Sequence, residues 1–399
     1  MTRLEYNFSS LFETTRIHAI VLTHNRPDTL QRCIANAIAP LNEQDILTII
    51  DDSVPSTFSA NSDFLTTTSK SSSVKLVHIS PVRVKQVLAD LVAPLGCHWL
   101  EKTARRDISP LRNMSLLFSI AASAETTILV DDDIIGFDLL STHKRIGELA
   151  RHGGIIAGVE IGGISELDTV TRLGGAFRKI VKAPVSRTWN IKELFSVKEC
   201  LGASNHRVEY VSAGYLAFRF PPTELFAFPP GYNEDWLWCL LQAANSQIEI
   251  TNLGERVIHD PPSILKPTRD DLLFELAGDL VFECLEEQVR VVDLDPESSL
   301  RRLSARIPNL AFRPSTRVQQ LLLLIESSTN GHNSHAPLEE LGLSIMRDLL
   351  RTGELDLDES HLLTKWCHDA LQKHQAFGQT LRNREAMVAV YELLQKGRI

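Results

Sequence analysis

The chain has 399 residues, of which 43% are hydrophobic and 23% charged, and its formal net charge is -9. The length favours two domains, and the composition is that of a globular protein rather than a fibrous or disordered one. The negative charge argues against a general nucleic-acid binder, because neutralising phosphates takes a basic face, although one local basic pocket stays compatible with it. No apolar run reaches the length of a membrane span, and the first residues lack the apolar core of a signal peptide.

The six cysteines are widely spread and form no CxxC pair. The sequence therefore predicts neither a zinc knuckle nor a disulfide framework. A reducing cytoplasm is the simplest setting for such a chain, and we expect a cytoplasmic protein.

The first 138 residues alternate between short apolar runs and segments with helical periodicity. This alternation predicts an open, mostly parallel, Rossmann-like sheet with flanking helices. The predicted strands are 16–23, 45–51, 74–79 and 126–130, and the predicted helices are 28–39, 81–93 and 109–124, the last with Ser109 as N-cap. The Ser/Thr-rich stretch 56–73 is weakly apolar and is expected to be an exposed, mobile loop.

The character of the chain changes in its second half. Segments 153–163 and 208–220 indicate strands, and 233–246 indicates a helix. After about residue 268 only amphipathic helices are predicted. We therefore expect a catalytic domain over 1–265 and an all-α domain over 266–399, which recognises the acceptor or forms a homo-oligomer. The predicted C-terminal helices are 269–292, 316–328, 337–353, 359–372 and 383–397.

Polar clusters follow three of the predicted strands: "LTHNR", "IIDDS" and "LVDDD". Parallel strands end at the same edge of a sheet, which is where open α/β sheets bind ligands. Three adjacent carboxylates, Asp131, Asp132 and Asp133, repel one another and cannot be buried away from water without a compensating positive charge. Such a cluster suits a hard divalent cation with oxygen ligands, Mg²⁺ or Mn²⁺, although a solvated acidic turn is the simpler alternative.

An ordered set of motifs resembles GT-A glycosyltransferases, most like family 2. These are "VLTHNRPDTLQRCI", "IIDDS", "LRNMSLLFSIA", "ILVDDD", "SAGYLAFR" and "NEDW", and together they cover about residues 16–262. The resemblance implies a GT-A fold and transfer of a sugar from a nucleotide sugar, UDP-sugar by preference. It also implies a bound Mn²⁺ or Mg²⁺.

The resemblance also implies residue roles. Asp131 and Asp133 match the DxD motif, in which the last aspartate binds the metal and the first contacts ribose or sugar. His259 follows the last strand, where some GT-A enzymes supply another metal ligand. Asp235 matches the base of inverting members. Asp52 is expected to contact the base, and Gly214 is expected to let the backbone approach the donor sugar. The positions that match the nucleotide and donor site are Thr23, Asn25, Arg26, Asp52, Arg112, Asn113, Asp132, Gly214 and Glu234.

Some features depart from the family. The chain has "DDSV" where "DDGS" is common, and the QxxRW motif of processive synthases is missing. We therefore expect a single transfer, with inversion favoured and retention left open. Two alternatives remain: a catalytically degenerate GT-A binding or scaffold protein, and a sugar-phosphate nucleotidyltransferase. The intact acids argue against the first, and "THNRPD" in place of a glycine-rich loop argues against the second.

Overall fold

The computed structural model describes the sheet with its flanking helices and the last two helices of the chain. The described residues are 15–92, 94–104, 107–150, 154–163, 200–201, 207–208, 212–219, 225–232, 234–243, 248–260 and 359–396, with a few isolated positions between 268 and 305. The predicted domain boundary near 265 and the helices predicted within 282–358 lie outside these residues.

An eight-stranded sheet with the order β3-β2-β1-β4-β9-β6-β10-β5 forms the centre of the described fold. Two strands, β9 and β5, run antiparallel to their neighbours, and the other six run parallel to one another. The predicted α/β class with a mostly parallel open sheet is therefore confirmed. The strands are β1 (Thr15–Thr23), β2 (Ile46–Asp51), β3 (Lys75–Ile79), β4 (Ala124–Asp131), β5 (Ile134–Ile135), β6 (Gly154–Gly163), β7 (Cys200–Leu201), β8 (Arg207–Val208), β9 (Tyr215–Arg219) and β10 (Ile248–His259).

Helices cover both faces of the sheet. They are α1 (Pro27–Ile38), α2 (Pro55–Ser69), α3 (Pro81–Ala89), a 3₁₀ helix (Pro94–Leu100), α4 (Ser109–Ala121), α5 (Leu139–Leu149), α6 (Glu234–Ala243), α7 (Glu359–Arg382) and α8 (Arg384–Lys396). Successive residues of a strand point to opposite faces, so β1 sends Ile20 and Leu22 into one apolar cluster and Ala19 and Val21 into the other. Burial of both faces explains why the strands are continuous apolar runs.

Residues 55–69 form helix α2, so the prediction of a loop over 56–73 is wrong. Pro55 stands at the start of the helix, a position where its missing N–H costs nothing. Thr66, Thr67 and Thr68 donate their hydroxyl groups to carbonyl oxygens four residues earlier. A fully buried Leu65 anchors the helix to the sheet. A few tertiary contacts therefore outweigh a weak local preference.

Helix α4 differs slightly from its prediction, since its N-cap is Ile108 and not Ser109. The carboxylate of Asp107 accepts the Ser109 amide at 3.0 Å and so replaces the predicted cap. Helices α7 and α8 confirm the two last predicted helices. Their apolar residues, among them Leu363, Trp366 and Phe377, belong to the same cluster as the β1 residues Ile20 and Leu22. The end of the chain thus completes one side of the sheet.

Cys33, Cys97, Cys239 and Cys367 are buried free thiols. Within the described part of the chain, no helix combines the length and the apolarity needed to cross a membrane.

Candidate active site

The carboxyl ends of the parallel strands gather the polar clusters at one edge of the sheet. Thr23, Asp51, Asp131 and His259 each end a strand there. Strand β9 runs in the opposite direction and begins at this edge, immediately after Gly214. The topology therefore brings together residues that lie far apart in the sequence.

Asp131 and Gly214 face each other at the centre of this edge. The Asp131 amide donates to the Gly214 carbonyl at 2.8 Å. A Cβ atom at position 214 would lie only 3.2 Å from the Ile161 side chain, which is tight, and 3.5 Å from the Asp131 carboxylate. The Oδ1 atom of Asp131 is buried and has no hydrogen-bond partner. Burial raises the pKa of Asp131, and the nearby Arg112 acts against this rise. One carboxylate oxygen at this edge is thus an unused acceptor.

Arg112 lies beneath this position and connects the two acidic segments of the site. It is buried, and its Nε donates to Glu234 Oε1 at 2.8 Å. Its Nη1 donates to the Ala213 carbonyl at 2.6 Å, and its Nη2 lies 3.5 Å from Asp131 Oδ2. A buried guanidinium stays charged and holds several carboxylates at fixed positions. The expected convergence of Arg112, Asp131 and Glu234 is therefore present in the structure.

The first turn of α6 contributes Glu234 and Asp235. Burial raises the pKa of Glu234 to about 8, and the charge of Asp235 adds to this rise while Arg112 acts against it. Asp235 is half-buried, and its Oδ2 accepts the Ala213 amide at 2.9 Å. Its Oδ1 accepts the Trp236 amide at 2.9 Å. Both oxygens of Asp235 are therefore held in place while the side chain stays accessible from solvent.

Arg26 neutralises the other two aspartates of the triplet. Its guanidinium pairs with Asp132 at 2.9 Å and with Asp133. Asp132 is buried, accepts the Thr23 hydroxyl at 2.5 Å, and points into the protein. Burial raises the pKa of Asp132 to about 7, although Arg26 and Thr23 act in the other direction. Arg26, Asp132 and Thr23, all predicted to bind the donor, thus form a network among themselves in which Asp132 and Thr23 are buried and Arg26 is half-buried.

His259 reaches the triplet from the end of β10. Its Nε2 lies 3.0 Å from Asp133 Oδ2, and the Asp260 amide donates to the Asp133 carbonyl at 2.8 Å. Burial alone would raise the pKa of Asp133, but the contacts with His259 and Arg26 lower it overall. The structure therefore brings together Asp133 and His259, two of the three predicted metal ligands.

The donor set suits a divalent cation only after rearrangement. The unpartnered Asp131 oxygen, the Asp133 carboxylate and the His259 imidazole are all ligand types that such cations accept. Within the described ranges, however, no three such side chains stand close enough to form a metal site. Arg26 also supplies a cation to Asp133 already, so a metal at Asp133 requires this guanidinium to move aside.

Asp52 marks the opposite end of the edge, beyond β2. Its carboxylate accepts from Lys102 Nζ at 2.5 Å, and His24 Nδ1 lies 3.7 Å away. Asn25 has a positive φ of 56° and uses its side-chain oxygen to accept the Val54 amide at 2.9 Å. Asn25 thus shapes the turn after β1, while Asp52 and Lys102 are the partly exposed charges beside it.

Asp51 and Asn113 have structural surroundings. Asp51 is fully buried and accepts from Asn61 at 2.8 Å and His78 at 3.0 Å, which joins β2 to α2 and β3. Asn113, predicted to bind the donor, is also fully buried. Its amide group donates to the Phe228 carbonyl at 3.1 Å and accepts the Phe228 amide at 2.7 Å. Asn113 therefore fixes the segment 225–230 rather than lining the edge.

The sequence reading missed Lys102, Asp51 and His78. Asp51 carried a signal, because it precedes Asp52 as the last residue of a buried strand. Lys102 carried none, since nothing in its neighbourhood distinguishes it from an exposed surface lysine.

No family model and no curated protein matches the chain. Solved structures with a similar fold include a mannosyltransferase from Pyrobaculum calidifontis in complex with GDP-Man and Mn²⁺, at 12% identity over 90% of this chain and 86% of that chain, with a TM-score of 0.37. S. aureus TarS 1-349 in complex with UDP-GlcNAc is 11% identical over 85% of this chain and 92% of that chain, with a TM-score of 0.41.

Glucosyl-3-phosphoglycerate synthase from Mycobacterium tuberculosis, in complex with Mn²⁺, UDP and glucosyl-3-phosphoglycerate, is 17% identical over 67% of this chain and 79% of that chain, with a TM-score of 0.36. At such identities and TM-scores the likeness concerns the course of the chain, and the roles proposed below rest on the contacts of the site itself.

Proposed function

We propose that the protein is a glycosyltransferase that moves a sugar from a nucleoside-diphosphate sugar to an acceptor hydroxyl. The observation that carries this proposal is the cluster around Arg112. It holds Asp131, Glu234 and, through Ala213, Asp235 beside a glycine at the ligand edge of an α/β sheet. A donor sugar needs close backbone approach, which Gly214 provides, and acids of distinct roles on either side of it.

In this proposal the two parts of the donor bind at opposite ends of the edge. The base and ribose lie toward Asp52 and the turn after β1, and the diphosphate and sugar lie toward Asp131 and Gly214. Asp131, Asp133 and His259 would hold Mn²⁺ or Mg²⁺, with Arg26 released from Asp133. A bound cation would stabilise the negative charge of the departing nucleoside diphosphate.

Asp235 is proposed as the base that takes the proton of the acceptor hydroxyl. A base must be fixed in position and ionised, and it must reach the acceptor from the side away from the metal. Two backbone amides orient the Asp235 carboxylate, and Arg112 donates to the carbonyl of Ala213, whose amide is one of the two. This arrangement suits an inverting, single transfer, and a UDP-sugar is the proposed donor. The acceptor, the cytoplasmic location and the division at residue 265 also remain predictions.

The first test is a thermal-unfolding screen with UDP, GDP and UDP-sugars, in Mn²⁺, in Mg²⁺ and in EDTA. A ligand that binds only the folded protein raises Tm, and at 100 times its Kd it adds about 2.7 kcal/mol of stability. We expect a larger rise with Mn²⁺ or Mg²⁺ than with EDTA, and we expect Asp133→Ala to remove the difference.

Each outcome of this screen decides a separate point. Equal shifts in EDTA and Mn²⁺ would contradict the proposed metal. No shift with any nucleotide would contradict the glycosyltransferase proposal itself. Nucleotide binding without hydrolysis or transfer of any nucleotide sugar would favour the alternative of a catalytically degenerate binding protein.

A further inference from the structure

A lysine lies in the buried stripe of helix α7. The buried positions of this helix recur at helical spacing, and apolar Ala370 and Phe377 flank Lys373 along the stripe. Lys373 is 4% exposed, although a lysine is rarely buried unless it is paired. A charge in this position needs partners from the surface on which the helix packs.

The partners of Lys373 belong to the segment between the 3₁₀ helix and α4. Lys373 Nζ donates to the Glu101 carbonyl at 2.6 Å and to Asp107 Oδ2 at 3.3 Å. The same Asp107 oxygen accepts the Thr103 amide at 2.9 Å and the Thr103 hydroxyl at 2.8 Å. Asp107 is itself 1% exposed, so this is a buried ion pair with further hydrogen bonds. Lys373 therefore fixes the backbone on both sides of Lys102.

Lys102 extends from this segment to the end of β2. Its Nζ lies 2.5 Å from Asp52 Oδ2, while 37% of the Lys102 side chain and 23% of the Asp52 side chain are exposed. The ammonium group thus lies at the end of the edge to which we assign the base and ribose, and a base carbonyl or a ribose hydroxyl oxygen could accept a hydrogen bond from it. Holding its backbone in advance lowers the entropy lost on binding, because fewer groups have to be ordered by the ligand.

We propose that Lys102 contacts the base or ribose of the bound nucleotide and that Lys373 is the positioning residue that holds Lys102 for this contact. The C-terminal helix α7 thereby sets the affinity of the site for its nucleotide. This inference rests on the proposed function, since it assigns a further determinant of nucleotide binding to the same edge.

The test is a double-mutant cycle on the full-length protein with UDP as the probe, measured by calorimetry in the presence of Mn²⁺. Lys373→Met keeps the aliphatic stem and removes the ammonium group. We expect it to weaken UDP binding by about three- to tenfold, the range expected for losing the pre-ordering of a short loop. Lys102→Met should weaken binding at least as much. The double variant should be no weaker than Lys102→Met alone, because coupled residues are not additive.

The matched control is Lys365→Met, which changes an exposed lysine of the same helix and should leave the UDP affinity unchanged. Lys373→Met leaves the buried Asp107 carboxylate unpaired, which endangers folding. The variant Lys373→Met with Asp107→Asn removes both charges and serves in its place. Amide exchange at Thr103 should quicken in either variant, which reports the loosened segment directly.

Unchanged UDP affinity in the Lys373 variants would overturn the inference while the wild type still binds UDP. Additive losses in the double variant would also overturn it, since Lys373 would then act independently of Lys102. If the wild type binds neither UDP nor GDP, the proposed function falls, and this inference falls with it.

Discussion

At the scale of single residues, the candidate site is a set of carboxylates whose positive partners are arginines. The three adjacent aspartates require compensating positive charge, and in the structure Arg26 and Arg112 supply it. Sequence analysis placed Asp131, Asp133, Glu234, Asp235 and His259 at one edge, because each stands next to a strand end or a helix start. It could not assign partners, since Arg26 and Asp133 are separated by 107 positions.

The role of Asp235 can be tested by removing its charge while keeping its shape. Asp235→Asn retains one oxygen for the Ala213 or Trp236 amide, so the fold should persist. We expect the kcat for transfer to fall by a factor on the order of 10² or more, because a positioned base typically contributes that much. The Kd for UDP with Mn²⁺ should change little, since Asp235 lies on the acceptor side in our proposal.

Asp138→Asn is the matched control for this experiment. Asp138 also holds the first turn of a helix, with Oδ1 accepting the Leu140 and Ser141 amides at 3.0 and 3.1 Å, but it is exposed and outside the proposed site. Its substitution should leave kcat unchanged. Near-normal turnover in Asp235→Asn would exclude this residue as the base and would favour a retaining or substrate-assisted transfer.

At the scale of elements, strands were easier to predict than the helix that follows β2. Strands β1 to β4 are apolar runs buried on both faces, so their own composition identifies them. Helix α2 is polar along most of its length and gains its stability from contacts that composition does not reveal. Chief among these is Asp51, which accepts from Asn61 of α2 and from His78 of β3.

Asp51 should make the stability of the fold depend on pH in the acid range. Burial acts to raise the pKa of Asp51, but the hydrogen bonds from His78, Asn61 and Ser53 outweigh it and lower the pKa in the folded state. A folded-state pKa below the unfolded value of about 3.9 stabilises the fold above that pH. This contribution is lost as the pH falls through the lowered pKa.

Asp51→Asn should therefore cost about 2 kcal/mol in the free energy of unfolding near pH 7, in line with hydrogen bonds to a buried charged group. The difference from the wild type should shrink as the pH is lowered below about 4. Urea unfolding at a series of pH values measures both effects. Asp63→Asn, at an exposed position on α2, is the control and should follow the wild type. A difference that stays constant with pH would show that the Asp51 charge is not the cause.

At the scale of the whole molecule, the last two helices belong to the packing of the sheet. Trp99 on the 3₁₀ helix packs edge-on against Phe377 of α7, with ring centroids 5.3 Å apart, and donates to Thr380 at 3.1 Å. Trp366 donates to the Pro230 carbonyl at 2.7 Å. Removing α7 and α8 would therefore expose this apolar face of the sheet domain.

Phe377→Ala tests whether α7 and the sheet unfold as one unit. Phe377 is fully buried, and truncating a buried phenylalanine costs about 3–5 kcal/mol. We expect a single unfolding transition at lower urea concentration, seen equally by tryptophan fluorescence and by circular dichroism. Val388→Ala, at an exposed position on α8, should have little effect. Two separate transitions, with nucleotide binding lost only in the second, would instead support an independent C-terminal domain.

The sequence by itself determined six of the eight strands of the sheet, β1 to β4, β6 and β9, and where its ligand edge lies, but it did not predict β5 and β10. Apolar runs identify strands whatever their partners are, and polar residues at the ends of parallel strands must share an edge. Only the tertiary structure decided which cation meets which carboxylate, why residues 55–69 are helical, and on which surface α7 packs. Each of these depends on contacts between distant parts of the chain, such as Arg112 with Glu234 and Lys373 with Asp107. The geometry of these contacts depends on how the helices and strands pack together, and local sequence patterns do not encode that packing.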